Sequence, residues 1–289
     1  MPRHRETGPV LPMTAGRDNR QGMAMATHTP PPVLEVRNVS VRFGGVAALT
    51  DVSMAVWPGE VVALVGDNGA GKSTLVKTIS GIQQPDAGEI IVAGRTHAMK
   101  GPQDAAAAGI QTVYQDLALC DNLDTVQNLF LGREICLPWW KGRRMDRARM
   151  EKRAREVLSD LDVKIRDTRV PSSSLSGGQR QSVAICRSIL ANPQVVLLDE
   201  PTAALGVAQR KQVLALIERL KAQGRAVVII SHDIGDVQQI ADRVVVLRLG
   251  RKVAEVTRGG YSRDELIAAM TGALDAAELA ALRKELAHG

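Results

Sequence analysis

Aromatic side chains are scarce: Phe, Trp and Tyr together make up 2% of the 289 residues. The core must therefore be aliphatic, built from Val, Leu, Ile and Ala, in one large domain or two small ones. Cysteine is nearly absent too. Cys120, Cys136 and Cys186 are odd in number and lack metal-ligand spacing, which argues against a disulfide framework and points to a reducing, cytosolic setting with three small core residues. No run of about 18 consecutive apolar residues occurs, so no segment spans a bilayer alone. The N-terminus also lacks the uninterrupted apolar stretch of a signal peptide. A formal charge of +6 is compatible with nucleic acid or an anionic membrane surface and selects neither. Residues 1–32 mix Arg, Gly, Met, Thr and Pro without period and read as a disordered leader, within which Met13, Met23 and Met25 are alternative starts.

What is present is a phosphate cradle. Leu64 to Thr74 contains Gly66, then Asp67, Asn68, Gly69 and Ala70, then Gly71, Lys72, Ser73 and Thr74, the spacing of a P-loop. Glycines let the backbone fold into a nest whose N–H groups point at one anion, at φ values that other residues resist. Lys72 is long enough to reach the β- and γ-phosphates, and the Ser73 hydroxyl suits Mg²⁺. The context is the required one. Glu60 to Val65 is a short apolar, β-branched strand, and Leu75, Val76 and Ile79 follow at helical spacing, so a helix dipole adds to the cradle.

Ahead of it, Leu34 and Val36 alternate, then Val39, Val41 and Phe43 after a slip near Asn38; Thr50 to Trp57 forms a second strand of a small antiparallel sheet. Phe43 is either a stacking platform for an adenine ring or an ordinary strand core residue. Beyond the P-loop, Glu89 to Ala93 and Gly109 to Tyr114 read as strands, the latter ending at Gln115, whose amide suits Mg²⁺ or an attacking water. From about 116 to 190 the pattern is helical, with Asp146 as an N-cap and Met150, Ala154, Val157, Leu158 and Leu161 at helix spacing. This segment is rich in Lys and Arg and follows Trp139-Trp140. Contact with phospholipid headgroups is one reading; a solvated helix face with Asp146, Glu151 and Glu156 paired along it is the one adopted.

Ser176, Gly177, Gly178 and Gln179 then place glycine backbone and a hydroxyl at a helix N-terminus, a second anion cradle that a single nucleotide hardly needs. Val195 to Leu198 is an apolar strand ending at Asp199-Glu200, where ligands bind in open α/β sheets. Successive strand residues face opposite ways, so Asp199 is assigned to Mg²⁺ and Glu200 to polarising water. Val227 to Ile230 ends likewise at Ser231-His232, and His232 is assigned to the γ-phosphate. Apolar strands alternating with helices require a parallel sheet covered on both faces. Ser262 to Glu265 is a capping box opening a helix to Met270, and 273–289 reads as a further amphipathic helix.

In this order, Gly66–Thr74, Gln115, Leu175–Gln179, Val195–Glu200 and His232 resemble the nucleotide-binding subunit of ABC transporters over about 33–272. The resemblance implies an α/β P-loop NTPase (RecA-like) fold: a parallel sheet core, an antiparallel β subdomain and an inserted α-helical subdomain at about 116–190. It implies a head-to-tail dimer with each ATP between one P-loop and the partner's Ser176–Gln179, with Mg²⁺ held by Ser73, Gln115 and Asp199. It further implies Phe43 as adenine platform, Glu200 as catalytic base and His232 as switch histidine. Residues after Gln115 and the helical segment would receive a permease helix. The family's D-loop usually ends in Asp where this chain has Gly206. Ala203-Ala-Leu-Gly206, Asp67-Asn68 and Asn128-Leu-Phe-Leu-Gly132 look most like the monosaccharide-importer branch.

The expected protein is thus a peripheral ATPase at the cytoplasmic face of the inner membrane, powering a sugar permease fed indirectly by a solute-binding protein. Many members of that branch fuse two ATPase halves. This chain has one P-loop and is expected to pair with itself or a sibling. The alternatives are an importer ATPase for another solute and a soluble ABC ATPase acting on nucleic acid. The second is disfavoured because the Thr74–Leu175 interval has no room for a long coiled coil or zinc insertion, so no nucleic-acid partner is expected.

Overall fold

The computed structural model describes residues 31–142 and 144–273; most of the expected leader and the expected tail helix beyond Ala273 lie outside the described residues. Strands β1 (Leu34–Phe43), β2 (Val46–Val56), β4 (Ala87–Val92) and β5 (Arg95–His97) form a sheet in the order β2-β1-β4-β5, all antiparallel. The slip read near Asn38 is a bulge: the β1–β2 register shifts between Val36 and Val39. Asn38 takes a left-handed φ of 50° and its amide donates to Asp51 Oδ1 at 2.6 Å.

The second sheet has the order β10-β9-β3-β8-β7-β6, formed by β3 (Val61–Val65), β6 (Ile110–Val113), β7 (Val195–Asp199), β8 (Ala226–Ile230), β9 (Arg243–Arg248) and β10 (Arg251–Thr257). Only the β9–β10 pair is antiparallel. β3 and β8 are buried at every residue, as parallel strands covered on both faces must be. The alternation is literal. Val61, Ala63 and Val65 pack into one core with Val196, Leu198, Val227 and Ile229, while Val62 and Leu64 pack into the other with Val195, Leu197, Val228 and Ile230.

On one face lie α1 (Lys72–Ile79) and the antiparallel sheet. On the other lie α3 (Thr125–Phe130), α4 (Arg147–Asp160), α5 (Gly177–Ile189), α6 (Val207–Ala222), α7 (Ile234–Ile240) and α8 (Arg263–Thr271). α2 (Pro102–Ala107) precedes β6. The caps are local and legible. Asp146 accepts from Arg149 N, and Ser262 with Glu265 closes a reciprocal capping box at α8.

Two expectations need correction. The 116–190 stretch is only partly helical: residues 116–124 and most of 161–175 are irregular, stitched together by Thr125 N to Thr168 O, Ser172 N to Leu123 O and Ser173 N to Asp121 O rather than by helix ladders. Of the three cysteines only Cys186 is buried, while Cys136 is exposed on a connecting segment.

Candidate functional site

The parallel register fixes the site. Leu64 lies opposite Ile230, Ile230 opposite Asp199, and Leu198 opposite Val113. The loops leaving β3, β8, β7 and β6 therefore start side by side at one sheet edge, carrying Gly66–Thr74, His232, Asp199-Glu200 and Gln115. β3 and β7 are separated by one strand, about 10 Å at the usual inter-strand spacing.

Within the P-loop the glycines have different reasons. Gly66 has φ 150°, and a Cβ there would lie 2.1 Å from Leu247 O. Gly71 has φ 103°, and its Cβ would lie 2.8 Å from Ala48 O and from Leu49 Cδ2. Gly69 has φ 81° and open space beside it. The loop is thus braced by β2 and by the turn after β9, where Gly250 N donates to Ala70 O at 3.1 Å, and its outer side is open at Asp67, Asn68 and Gly69. Sequence reading missed this brace, although Leu249-Gly250 carried a turn signal. α1 begins after Gly71 with no side-chain cap and no acidic residue in its first turn, which leaves N–H groups of Lys72, Ser73 and Thr74 for an anion. Lys72 Nζ donates to Gly66 O at 2.6 Å and Asp67 O at 2.9 Å. Burial lowers its pKa, opposed by the charges of Glu200, Asp67 and Asp199.

Asp199 is half-buried, and burial followed by the neighbouring Glu200 charge raises its pKa, with Lys77 and Lys72 acting the other way. A cation there relieves both causes. No group of three or more His, Cys, Asp or Glu forms a metal cage among the described residues. Mg²⁺ does not require one, since it binds through one or two carboxylates plus phosphate oxygens and water, so Ser73, Asp199 and Gln115 are a suitable donor set. Glu200 takes a left-handed φ of 50°, its N–H donates to Ile230 O at 3.0 Å, and its Oε1 lies 3.3 Å from His232 Nδ1. A non-glycine residue in this region carries strain of the kind that active sites store.

Gln115 is exposed in the bend after β6. Phe43 is 51% exposed, which removes its reading as a core residue. It sits at the β1–β2 tip, near the Ala48 carbonyl and the Leu49 side chain that pack on Gly71. Ser176 is exposed at the N-cap of α5 and accepts from Gln179 N, while Gln179 Oε1 accepts from Ser176 N at 3.0 Å. Gly178 has a separate role: a Cβ there would lie 2.8 Å from Gln209 Cβ, so it lets α5 and α6 approach closely. No hydrogen bond or ion pair joins 176–179 to 66–74 among the described residues. Ser176 and Gln179 border another groove, of about 530 Å³, with Lys164, Gln209 and Lys211. Arg210 was also missed: it reaches Asp233, which caps α7 immediately after His232, and its partner is too distant in sequence to leave a signal.

Residues 49–203 match the family described as ABC transporter. The chain is 44% identical over 246 residues to the fructose import ATP-binding protein FrcA of Rhizobium meliloti, covering 84% of this chain and 95% of that one. It is 42% identical over 241 residues to ribose import ATP-binding protein RbsA 1 of Rubrobacter xylanophilus, covering 83% of this chain but 47% of that protein. The fold superposes on the dimeric, ADP- and Pi-bound post-hydrolysis state of the ATP-binding cassette MJ0796 with a TM-score of 0.65 and 28% identity, covering 79% of this chain and 100% of that one.

Proposed function

The chain belongs to the ABC transporter family, as one of its ATPase subunits, and from that premise we propose that it hydrolyses ATP to drive a membrane permease importing a simple sugar. The observation that carries the ATPase mechanism is the meeting of Lys72, Asp199, Glu200 and His232 at one sheet edge, while Ser176–Gln179 lie apart from it. The sugar class follows from the fructose and ribose importers that the chain resembles.

In this reading Gly66, Asp67, Asn68, Gly69, Ala70, Gly71, Lys72, Ser73 and Thr74 wrap the β- and γ-phosphates, and Lys72 exchanges its two carbonyl partners for phosphate oxygens. Phe43 stacks on the adenine. Ser73, Asp199 and Gln115 hold Mg²⁺, which when bound screens phosphate charge. Glu200 orients the attacking water and takes its proton. His232 lies beside that carboxylate through Nδ1, and as the imidazolium, in which both ring nitrogens donate, it also offers Nε2–H to the γ-phosphate. A second copy of the chain closes the site with its Ser176, Gly177, Gly178 and Gln179. A pair is called for because Ser176–Gln179 lie apart from the P-loop of their own chain, and the cassette on which the fold superposes is itself dimeric. A permease helix docks beside Tyr114, Asp116, Leu117, Leu131 and Arg133, which line a cleft of about 180 Å³. The protein then sits peripherally at the cytoplasmic face, served by a solute-binding protein that it does not touch.

The test is Glu200→Gln. Hydrolysis should fall by about 10²–10⁴-fold, the contribution of a positioned base, while ATP stays bound. Unchanged turnover rejects the base assignment. Co-purification from membranes with a permease, and loss of labelled-sugar uptake on deletion, test the transport assignment. ATPase stimulation by DNA or ribosomes, with no permease recovered, overturns it.

A further inference from the structure

Between α3 and α4 the chain doubles back as a narrow hairpin. Leu137 N donates to Arg144 O at 2.8 Å, Asp146 N donates to Ile135 O at 2.7 Å, and Cys136 bridges Met145. The tip is Pro138, a 3₁₀ turn over Trp139–Lys141, and Gly142 at φ 80°. In a chain whose cores are aliphatic, two of the three tryptophans stand here in solvent: Trp139 is 77% exposed and Trp140 67%. Their rings meet edge to face at 5.9 Å and pack on each other. Neither indole N–H has a partner among the described residues. Met145, 59% exposed, extends the apolar tip.

The net charge around the tip is positive. Residues 133–156 hold nine Lys and Arg against four Asp and Glu, most of the surplus of the whole chain. The acids are engaged: Glu151 with Arg147 and Arg169, Glu156 with Arg153, Asp146 capping α4, and Glu134 accepting from Gly132 N. Arg144, Arg149, Lys152 and Arg155 have no acidic partner among the described residues. The solvated-face reading thus holds for Glu151 and Glu156 of α4, while Asp146 serves as a cap instead of an ion-pair partner, and it leaves the hairpin and these cations unexplained.

We propose that this hairpin is a membrane-surface anchor, its indoles seated at the headgroup level of an anionic bilayer and its cations against lipid phosphates. An indole has an apolar body and one N–H donor, which suits a boundary that is apolar on one side and wet on the other. The exposed indoles suit a planar anionic surface, and Arg149 and Lys152, which line a groove of about 440 Å³ with Arg133 and Arg153, add positive charge beside them. The hairpin leaves the fold just after Arg133, which also lines the cleft assigned to the permease, so its base adjoins that cleft and the proposal rests on that reading for its side of the molecule.

The test is co-sedimentation of the full chain, without nucleotide or permease, with vesicles of phosphatidylcholine alone or mixed with phosphatidylglycerol. Failure here leaves the ATPase assignment intact, because hydrolysis is measured separately. Pelleting is expected with the anionic vesicles only, weakened by salt. It should fall roughly tenfold in Trp139→Ala/Trp140→Ala, from the loss of buried indole area, and fall again in Arg149→Glu/Lys152→Glu, with melting and basal hydrolysis unchanged in both. No pelleting with anionic vesicles, or unchanged pelleting in the tryptophan variant, overturns the proposal. So does a tryptophan variant that keeps vesicle binding but loses a co-purifying permease, since the occupant is then a protein.

Discussion

Replacing Asn128 by Ala should be among the costliest changes outside the nucleotide site, and the structure gives the size of the effect. Asn128 is fully buried in α3. Its Oδ1 accepts from Cys120 N at 2.8 Å. Its Nδ2 lies 2.9 Å from Cys120 O, 3.1 Å from Leu123 O, 3.2 Å from Asp124 O and 2.8 Å from Ser172 Oγ. The amide carries two hydrogens, so the two shortest contacts, to Ser172 and Cys120, take them. Truncation removes three bonds at about 1 kcal/mol each and strands partners inside the protein, a total of about 3 kcal/mol or more. At about 2–4 °C per kcal/mol for a domain of this size, the midpoint should drop by roughly 6–12 °C. Urea unfolding and calorimetry measure both. Asn128→Asp should be at least as damaging, because a carboxylate cannot donate to Cys120 O and buries a charge. Ser172→Ala combined with Asn128→Ala should show coupling of at least about 0.5 kcal/mol. A loss below about 1 kcal/mol for Asn128→Ala would refute the claim that this one amide clamps the 120–124 segment to the loop leading into Ser176.

Gly178→Val should destabilise by about 2 kcal/mol, because its Cβ meets the base of Gln209, whereas Gly177→Ala, whose Cβ lies 3.2 Å from the end of Leu205, should stay within about 0.5 kcal/mol; urea midpoints separate the two. Cys136 should react with a maleimide in the native protein and account for the fast phase, which Cys136→Ser removes. Cys186 should stay silent until unfolding, since burial pushes its thiol up to about 12 and leaves almost no thiolate at neutral pH; fast labelling at Cys186 contradicts this.

The sheet core was legible in the sequence because its strands are continuous apolar runs ending at chemistry-bearing residues, as at Val195 to Glu200 and Val227 to His232. The P-loop was legible because conformation and contact both demand glycine, at Gly66 and Gly71 alike. Asn128 was visible only as part of a family-like string. An amide in a helix is unremarkable until its partners at Cys120 and Ser172 are brought to it by tertiary contacts. The irregular 116–124 and 161–175 stretches looked helical for the same reason. Their backbone groups are satisfied by each other, and no local period records that. Gly178 was assigned to an anion cradle, and its contact with Gln209 could not be read without the crossing of α5 and α6.

Gly206 shows how such non-local contacts take over a local role. As the N-cap of α6 it has no side chain to accept from the first-turn N–H groups, which Asp would supply. Two neighbours act instead. Gln209 Oε1 accepts from Gly206 N at 3.4 Å, which steadies the entry into the helix. Arg210 ties the same turn to Asp233 and lies 3.6 Å from Asp236 Oδ1. Because the backbone and Cβ of Gln209 also press on Gly178, this one turn of α6 touches the helix that begins at Ser176 and the segment that carries His232. A displacement of the Gly206 turn therefore has a packed route to Ser176 and a charged route to His232. The absent aspartate removes a cap from α6 but leaves both routes in place.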